Sequence, residues 1–275
     1  MKKNINRLDI MVAYSCNVSC KGCISLSDFP RNGVENFEEL KKSILYWSQH
    51  IEPDIISIFG GEPLLHPKLL SILQVVRESW SRSTIRLITN GYLLDRYEPH
   101  VWFNFGKLEI QVSLHRNDHK KVITDKIAKI LKIKSNWLTQ KFADKKSHKF
   151  LQFVSEDVKI YMSRFKNFVM PYNIENNKPI PYSSDPTKAH SICGSPDTPI
   201  LYRNSLYKCA AIANLLEVAY KNLYNYNPVS SVDDLHLITD FINVPESICS
   251  ICPENLDNAV DHFSKENVHV KQIIN

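Results

Sequence analysis

The chain has 275 residues, 43% of them hydrophobic, and 34 Lys and Arg against 29 Asp and Glu give a formal net charge of +5. That length suits one large domain with a smaller appendage, and no apolar run nears the ~20 residues of a membrane span. The charge is mild and comes with no nucleic-acid-binding motif, which argues against a nucleic-acid partner. Seven cysteines in clustered spacings, without an export signal, point to a cytoplasmic protein that uses them for metal ligation rather than disulfides.

Residues 8–14 read as a first strand, too short and too interrupted by Asp9 for a signal peptide. The strand runs into Cys16, Cys20 and Cys23, a Cys-x₃-Cys-x₂-Cys array. Three thiolates leave a tetrahedral metal one ligand short. On a 4Fe–4S cluster they leave the fourth iron open to an outside ligand. Residues 37–50 then place Phe37, Leu40, Ile44 and Leu45, with Trp47 and Ile51 one turn on, along an amphipathic helix.

Residues 55–59 are a buried-type strand ending in Gly60-Gly61-Glu62-Pro63. Glycines let the backbone approach closely, and a glutamate accepts hydrogen bonds from an ammonium group. A second helix is predicted over 67–80, with Pro67 at its start. Strands over 84–89 and 108–114 follow, ending at Asn90-Gly91 and His115. Repeating strand–helix units imply a parallel sheet covered by helices, with chemistry at the C-terminal strand ends.

Between residues 118 and 149 stand ten lysines and three acids. Ile123, Ile127, Ile130, Leu131 and Leu138 form a helical stripe there, so the lysines read as a solvated outer face, with a docking surface for an acidic peptide or a nucleotide as the alternative. Residues 158–161 suit a fifth strand. Pro171, Pro179, Pro181 and Pro186 then mark an irregular connector over 166–192. Beyond it lie Cys193, a hairpin with Asn204-Ser205 as its turn, Cys209, and the Cys249-x₂-Cys252 pair. Together these four cysteines make one site of a kind that zinc and iron–sulfur groups share.

The cysteine triplet followed by Gly60-Gly61-Glu62-Pro63 resembles the radical S-adenosylmethionine (radical SAM) superfamily. The resemblance implies an α/β fold, a partial (β/α)₆ barrel over residues 1–165. It implies a [4Fe-4S] cluster on Cys16, Cys20 and Cys23, with SAM chelating the open iron. Gly60, Gly61, Glu62 and Pro63 would bind the methionine amino group of SAM, and Asn90, Ser113 and His115 would contact SAM from the next strand ends. His115 reads equally well as a rim histidine without a role. The family usually has an aromatic residue just before the third cysteine. Gly22 stands there in this chain, so the adenine platform has to come from elsewhere, with Ile24 or Tyr14 as the options.

Residues 193–275 resemble the twitch domain, the one-cluster relative of the SPASM domain. That resemblance implies an auxiliary [4Fe-4S] cluster on Cys193, Cys209, Cys249 and Cys252, with structural zinc as the alternative. Three plus four uses every cysteine and leaves no thiol to quench a substrate radical. A substrate would then leave oxidised or cleaved rather than inverted, and an external one-electron reductant of flavodoxin or ferredoxin type is implied. Two substrates stay open, and the first is the preferred one. One is a ribosomally made precursor peptide, presented by a separate recognition protein because the barrel starts by residue 8. The other is a sugar, cyclitol or nucleotide-linked small molecule. A non-catalytic metal module is the third reading, and it leaves the Gly-Gly-Glu-Pro turn without a purpose.

Overall fold

The computed structural model describes residues 2–29, 31–114, 119–134, 136–141, 149–164, 167–217, 226–234, 236, 238, 242, 244–257, 259–261 and 264–266. In chain order the strands are β1 (Lys3–Ala13), β2 (Val18–Cys20), β3 (Ile51–Gly60), β4 (Thr84–Thr89), β5 (Leu108–Ser113), β6 (Leu138–Lys141), β7 (Lys149–Val154) and β8 (Val158–Ser163). Short strands follow: β9 (Asn167–Val169), β10 (Asn173–Glu175), β11 (Lys178–Ile180), β12 (Ile200–Tyr202), β13 (Ser205–Tyr207), β14 (Ala259–Asp261) and β15 (Ser264–Glu266). The helices are α1 (Phe37–Trp47), α2 (Leu69–Ser79), α3 (Lys120–Leu131), α4 (Pro186–Ser191) and α5 (Ala210–Leu215).

One nine-stranded sheet organises the molecule, in the order β13-β12-β1-β3-β4-β5-β8-β7-β6. The six strands from β12 to β8 are parallel, and the outer strands are antiparallel to their neighbours. Alternation along each parallel strand divides the sheet into two faces. Leu8, Ile56, Leu87, Ile110 and Ile160 are fully buried on the outer face, in one core with α1, α2 and α3. The inner face is half-exposed and largely polar on β4 and β5, where Arg86, Ile88, Glu109, Gln111 and Ser113 are each only partly covered.

The helices form where capping and periodicity agree. The Asn36 side chain caps α1 by accepting from the Glu38 and Glu39 amides, and Leu40, Ile44 and Trp47 face inward. Ile72, Leu73 and Val76 of α2, and Ile123, Ile127 and Ile130 of α3, repeat that pattern. Two of the buried tryptophans each tie two elements together. Trp80 Nε1 donates to the Ile51 carbonyl at 2.8 Å, and Trp47 Nε1 donates to the Asn204 carbonyl at 3.1 Å.

The architecture departs from the sequence expectation in several places. β1 starts at Lys3 because residues 3–7 pair with 51–55, and Ile51 belongs to β3 rather than to the helix before it. α2 begins at Leu69, so Pro67 lies ahead of its cap. Leu138 is on the edge strand β6, 71% exposed, not on the helix whose stripe it extends. The connector holds the β10–β11 hairpin and α4, which Asp185 caps ahead of Pro186.

The C-terminal hairpin turns at Arg203–Asn204, one residue earlier than expected, and both residues have positive φ, +46° and +66°. That is the signature of a two-residue type I′ turn, whose twist suits a hairpin. Through β12 the hairpin joins the main sheet beside β1. The sheet is therefore mixed, and its sixth parallel strand comes from late in the chain. The β4–β5 link is two 3₁₀ turns, Leu94–Arg96 and Pro99–Asn104, where the (β/α)₆ expectation has a helix. No described helix is long and apolar enough to cross a membrane.

The turn gives the first test. A β-branched residue at positive φ is strained by about 1–2 kcal/mol, so Asn204→Val should lower the urea-unfolding free energy by that amount. Asn204→Gly should leave it unchanged or raise it. Equal destabilisation by both variants would mean that the side chain, not the backbone, holds the turn.

Candidate active site

β1 ends at Ala13, and the chain then enters the cysteine loop. Two glycines at the end of β3 lie against its first residues. A Cβ on Gly60 would sit 2.3 Å from the Ala13 carbonyl oxygen, and one on Gly61 would sit 2.3 Å from that of Ser15. Neither glycine is needed for positive φ; both are needed for contact. The contact is made by hydrogen bonds, from Gly61 N to Ala13 O at 2.7 Å and from Glu62 N to Ser15 O at 2.9 Å. Ser25 Oγ donates to the Gly60 carbonyl at 2.8 Å. Thus the Gly-Gly-Glu turn is stitched to the cysteine loop at both of the loop's ends.

Cys16 and Cys20 are buried and Cys23 half-buried, and they share one cluster with Val18 and Tyr92. Burial raises the Cys16 thiol well above its ordinary value, with the Glu62 carboxylate and the other two thiols adding to the shift. A bound metal reverses that balance by deprotonating its thiol ligands. Asn90 Nδ2 donates to Asn17 Oδ1 at 2.7 Å and approaches Cys16 Sγ at 3.7 Å.

Glu62 is fully buried. Its carboxylate accepts from Thr89 Oγ1 at 2.7 Å, Asn90 N at 2.8 Å and Leu64 N at 3.0 Å. A carboxylate has about four acceptor sites, so one remains for a ligand donor. Burial outweighs these bonds and pushes the Glu62 carboxyl up to about 7. Pro63 opens the 3₁₀ turn that Glu62 caps, and it is buried. Asn90 lies beside Glu62 and Cys16. Ser113 is half-buried at the end of β5, next to Ser163 of β8. His115 lies outside the described residues.

Gly22 has φ of +75°, and its amide donates to Asp28 Oδ2 at 3.3 Å. An aromatic side chain would be strained at that φ, which accounts for glycine there. Of the two options for an adenine platform, Ile24 is 41% exposed. The Tyr14 ring carries the Arg31 guanidinium 4.8 Å from its centroid, and its hydroxyl donates to Glu35.

The four later cysteines come together. Cys209 caps α5, Cys249 and Cys252 flank the end of the 3₁₀ turn Ser247–Ile251, and α4, just ahead of Cys193, packs on that turn. Burial raises the Cys252 thiol well above its ordinary value, and Cys209, Cys193 and Cys249 each raise it further. Cys209 is pushed up to about 12 by burial, with Cys193 and Cys249 contributing. Ser195 N lies 3.4 Å from Cys193 Sγ, an amide aimed at sulfur. All seven thiols are free. Among the described residues, neither set closes to the spacing of a single-ion site. A cubane cluster spreads its ligands over separate irons, so grouped thiol donors are the fit that counts; in the second set Cys249 is buried, Cys209 and Cys252 are half-buried and Cys193 is exposed.

Residues that carry no local signal of a role join the two sites. Asn214, fully buried in α5, donates to the Ile24 carbonyl at 2.9 Å and accepts from Arg31, which also donates to Ser25 O at 3.2 Å. Leu26 of the first loop shares a core with Ile212, Leu215, Ile248 and Ile251, against which Cys209 and Cys252 pack. Their partners are far apart in sequence, so no local pattern marks them.

Residues 10–136 match the Radical SAM superfamily. They form a radical SAM domain. Among curated proteins, GTP 3',8-cyclases are similar. That of Campylobacter jejuni subsp. doylei is 32% identical over 124 residues, 44% of this chain and 38% of the relative. That of Haemophilus ducreyi is 28% identical over 131 residues, 46% and 38% of the two chains. The chain thus spans 38% of the length of these relatives. Among solved structures, BtrN in complex with AdoMet and 2-DOIA superposes over 94% of this chain and 100% of its own, with TM-score 0.52 and 16% identity. That likeness is one of fold.

Two tests follow from the stitched turn. Gly61→Ala forces a Cβ into the Ser15 carbonyl and should cost about 1–3 kcal/mol, read by chemical denaturation, with iron loading reduced. Wild-type stability and loading would refute the close-contact role. Secondly, the folded-state pKa of Glu62 is raised, so its stabilising contribution is present below about 4.5 and is lost as pH rises through about 7. Relative to Glu62→Gln, the unliganded wild type should therefore lose stability over that window, and a constant difference would contradict the assignment.

Proposed function

We propose that the protein is a radical SAM enzyme that oxidises a small-molecule substrate by two electrons. One observation carries the reading: the three-cysteine loop and the Glu62 turn are hydrogen-bonded into one unit, with Asn90 reaching both. Cys16, Cys20 and Cys23 would hold a [4Fe-4S] cluster, and that group would supply the electron for reductive cleavage of SAM at its C5′–S bond to give a 5′-deoxyadenosyl radical. The residues around it do the positioning. Glu62 offers its remaining acceptor site to the SAM ammonium, a charge-assisted bond. Gly60 and Gly61 keep that acceptor against the loop, and Asn90 holds Asn17 and faces Cys16. Ser113 is partly exposed at the adjoining rim, beside the buried Ser163.

An auxiliary [4Fe-4S] cluster is the group we propose for Cys193, Cys209, Cys249 and Cys252. With four ligands it has no open position, which suits an electron acceptor better than a substrate site. The substrate would then lose one hydrogen atom to 5′-deoxyadenosine, one electron to that site and one proton to solvent. An external one-electron reductant completes the cycle.

The small-molecule reading is favoured over the peptide by the polar inner face of β4 and β5, where Arg86, Glu109, Gln111 and Ser113 are partly exposed and offer hydrogen-bonding groups. The curated relatives are named for a reaction of GTP, which is in keeping with it. The peptide reading is favoured by a different feature. All four residues of the edge strand β6 are exposed, and an extended peptide can add to such an edge.

Replacing Cys16, Cys20 and Cys23 together with alanine should remove one of two 4Fe–4S equivalents and all 5′-deoxyadenosine formation; SAM cleavage at the wild-type rate would refute the assignment. Glu62→Gln should keep its iron while SAM affinity falls roughly tenfold, equivalent to ~1.4 kcal/mol. The product should be two hydrogens lighter than the substrate. A product of unchanged mass that gains one deuterium at carbon in D₂O would mean epimerisation instead.

A further inference from the structure

The inner face of the sheet carries charges that the rim chemistry does not use. Asp9, Ser57, Arg86, Glu109 and Lys159 are successive register partners across β1, β3, β4, β5 and β8. Register partners point the same way, so these five side chains stand in one row. Their sequence neighbours are buried against the helices, for example Leu8, Ile56, Leu87, Ile110 and Ile160. The row therefore faces the interior of the curved sheet.

Its charges do not balance. Glu109 takes Arg86 at 2.8 Å on one oxygen and Lys159 at 2.7 Å on the other. Asp9 takes Arg7 Nε at 2.8 Å, and the same nitrogen reaches Ser57 Oγ at 3.0 Å. Three cations thus share two carboxylates. The cations are also not sealed, since the Arg7, Arg86 and Lys159 side chains keep 28%, 17% and 29% of their exposure. Arg7 engages only Nε and Arg86 only Nε and Nη2, so both Nη atoms of Arg7 and Nη1 of Arg86 have no partner among the described residues.

A bracing network would be expected to close on itself, with each half-buried guanidinium nitrogen paired. This one leaves fork donors open beside a net positive charge. Guanidinium forks match the geometry of carboxylate and phosphate oxygens. The next row toward the rim is graded, with Met11 and Phe59 apolar on one side and Gln111 and Tyr161 polar on the other. Tyr161 donates to Gln111 Oε1 at 2.7 Å. The rim residues Asn90, Ser113 and Ser163 stand four positions beyond Arg86, Glu109 and Lys159. At ~3.3 Å per residue that is about 13 Å.

We propose that Arg7 and Arg86, with Lys159 beside them, bind the anionic end of the substrate, a carboxylate or a phosphate. The substrate then reaches from this floor toward the rim, where its reacting carbon lies. The proposal relies on the radical SAM reading only for what happens at the rim; anion binding at the floor can be measured without it.

The test is calorimetric titration of the reconstituted full-length protein with inorganic pyrophosphate and with succinate, which separate the phosphate and carboxylate sources. One of the two should bind, more weakly at higher salt. Its dissociation constant should rise at least tenfold in Arg7→Gln and in Arg86→Gln, and less in Arg7→Lys. Thermal melts would establish that the variants fold. If Arg86→Gln does not, Arg7→Gln decides, since Asp9 keeps Ser57 as a neighbour. Saturation by neither probe, or wild-type affinity in the folded variants, would overturn the proposal. Absence of 5′-deoxyadenosine from the wild type would instead overturn the rim reading and leave the floor site standing.

Discussion

Two backbone hydrogen bonds, Gly61 N to Ala13 O and Glu62 N to Ser15 O, hold the candidate site together. They form only because neither glycine has a Cβ, which would fall 2.3 Å from a carbonyl oxygen. Everything with chemical character at the rim is referenced to that contact. The cysteine loop starts on one side of it and the buried carboxylate on the other, while Asn90 spans the two. An orphaned buried glutamate would be costly, and here three protein donors meet it before any ligand does. The site is thus preformed, with one acceptor position left over.

The fold supports this contact from beneath and from the side. Beneath, the parallel register of β1 and β3 fixes where the two strand ends lie relative to each other. From the side, the Leu26 core and the Asn214–Arg31 pair bind the cysteine loop to α5, whose cap is Cys209. The two cysteine groups therefore share packing, and a displacement at one is felt at the other, because close-packed interiors transmit strain. At the far end of the chain, β15 pairs with β2 inside the first cysteine loop. Segments more than two hundred residues apart in sequence converge on that loop.

What could be read from the sequence was local. The cysteine array, the Gly-Gly-Glu-Pro turn, the strand ends at Thr89 and Ser113 and the later cysteines all announce themselves in short windows. The closeness of Cys193 to the Cys249–Cys252 turn was legible as unpaired metal-type spacing. The partners of Glu62 were not, because Thr89 and the Asn90 amide are brought to it by register. Register also hid the row from Asp9 to Lys159, whose members are scattered over 150 positions and look like ordinary strand polar residues. β6 escaped notice because Leu138 continues the stripe of α3 while pairing with Val154 of β7. The hairpin turns at Arg203–Asn204 rather than Asn204–Ser205 because the positive φ values fall on Arg203 and Asn204, and an arginine carries no local signal for that conformation. Gly22 shows the reverse case. An expected aromatic is missing, and the positive φ gives the reason.

The central claim is that Cys16, Cys20 and Cys23 hold a cluster whose open position takes the amino group of SAM beside Glu62. Electron–nuclear double resonance of the reduced, reconstituted protein, with SAM isotopically labelled at the amino nitrogen, addresses it directly. The account predicts a hyperfine coupling between that nitrogen and the cluster, present in the wild type and absent when the three cysteines are replaced. A reduced cluster that shows no coupling to the labelled nitrogen at saturating SAM would contradict it.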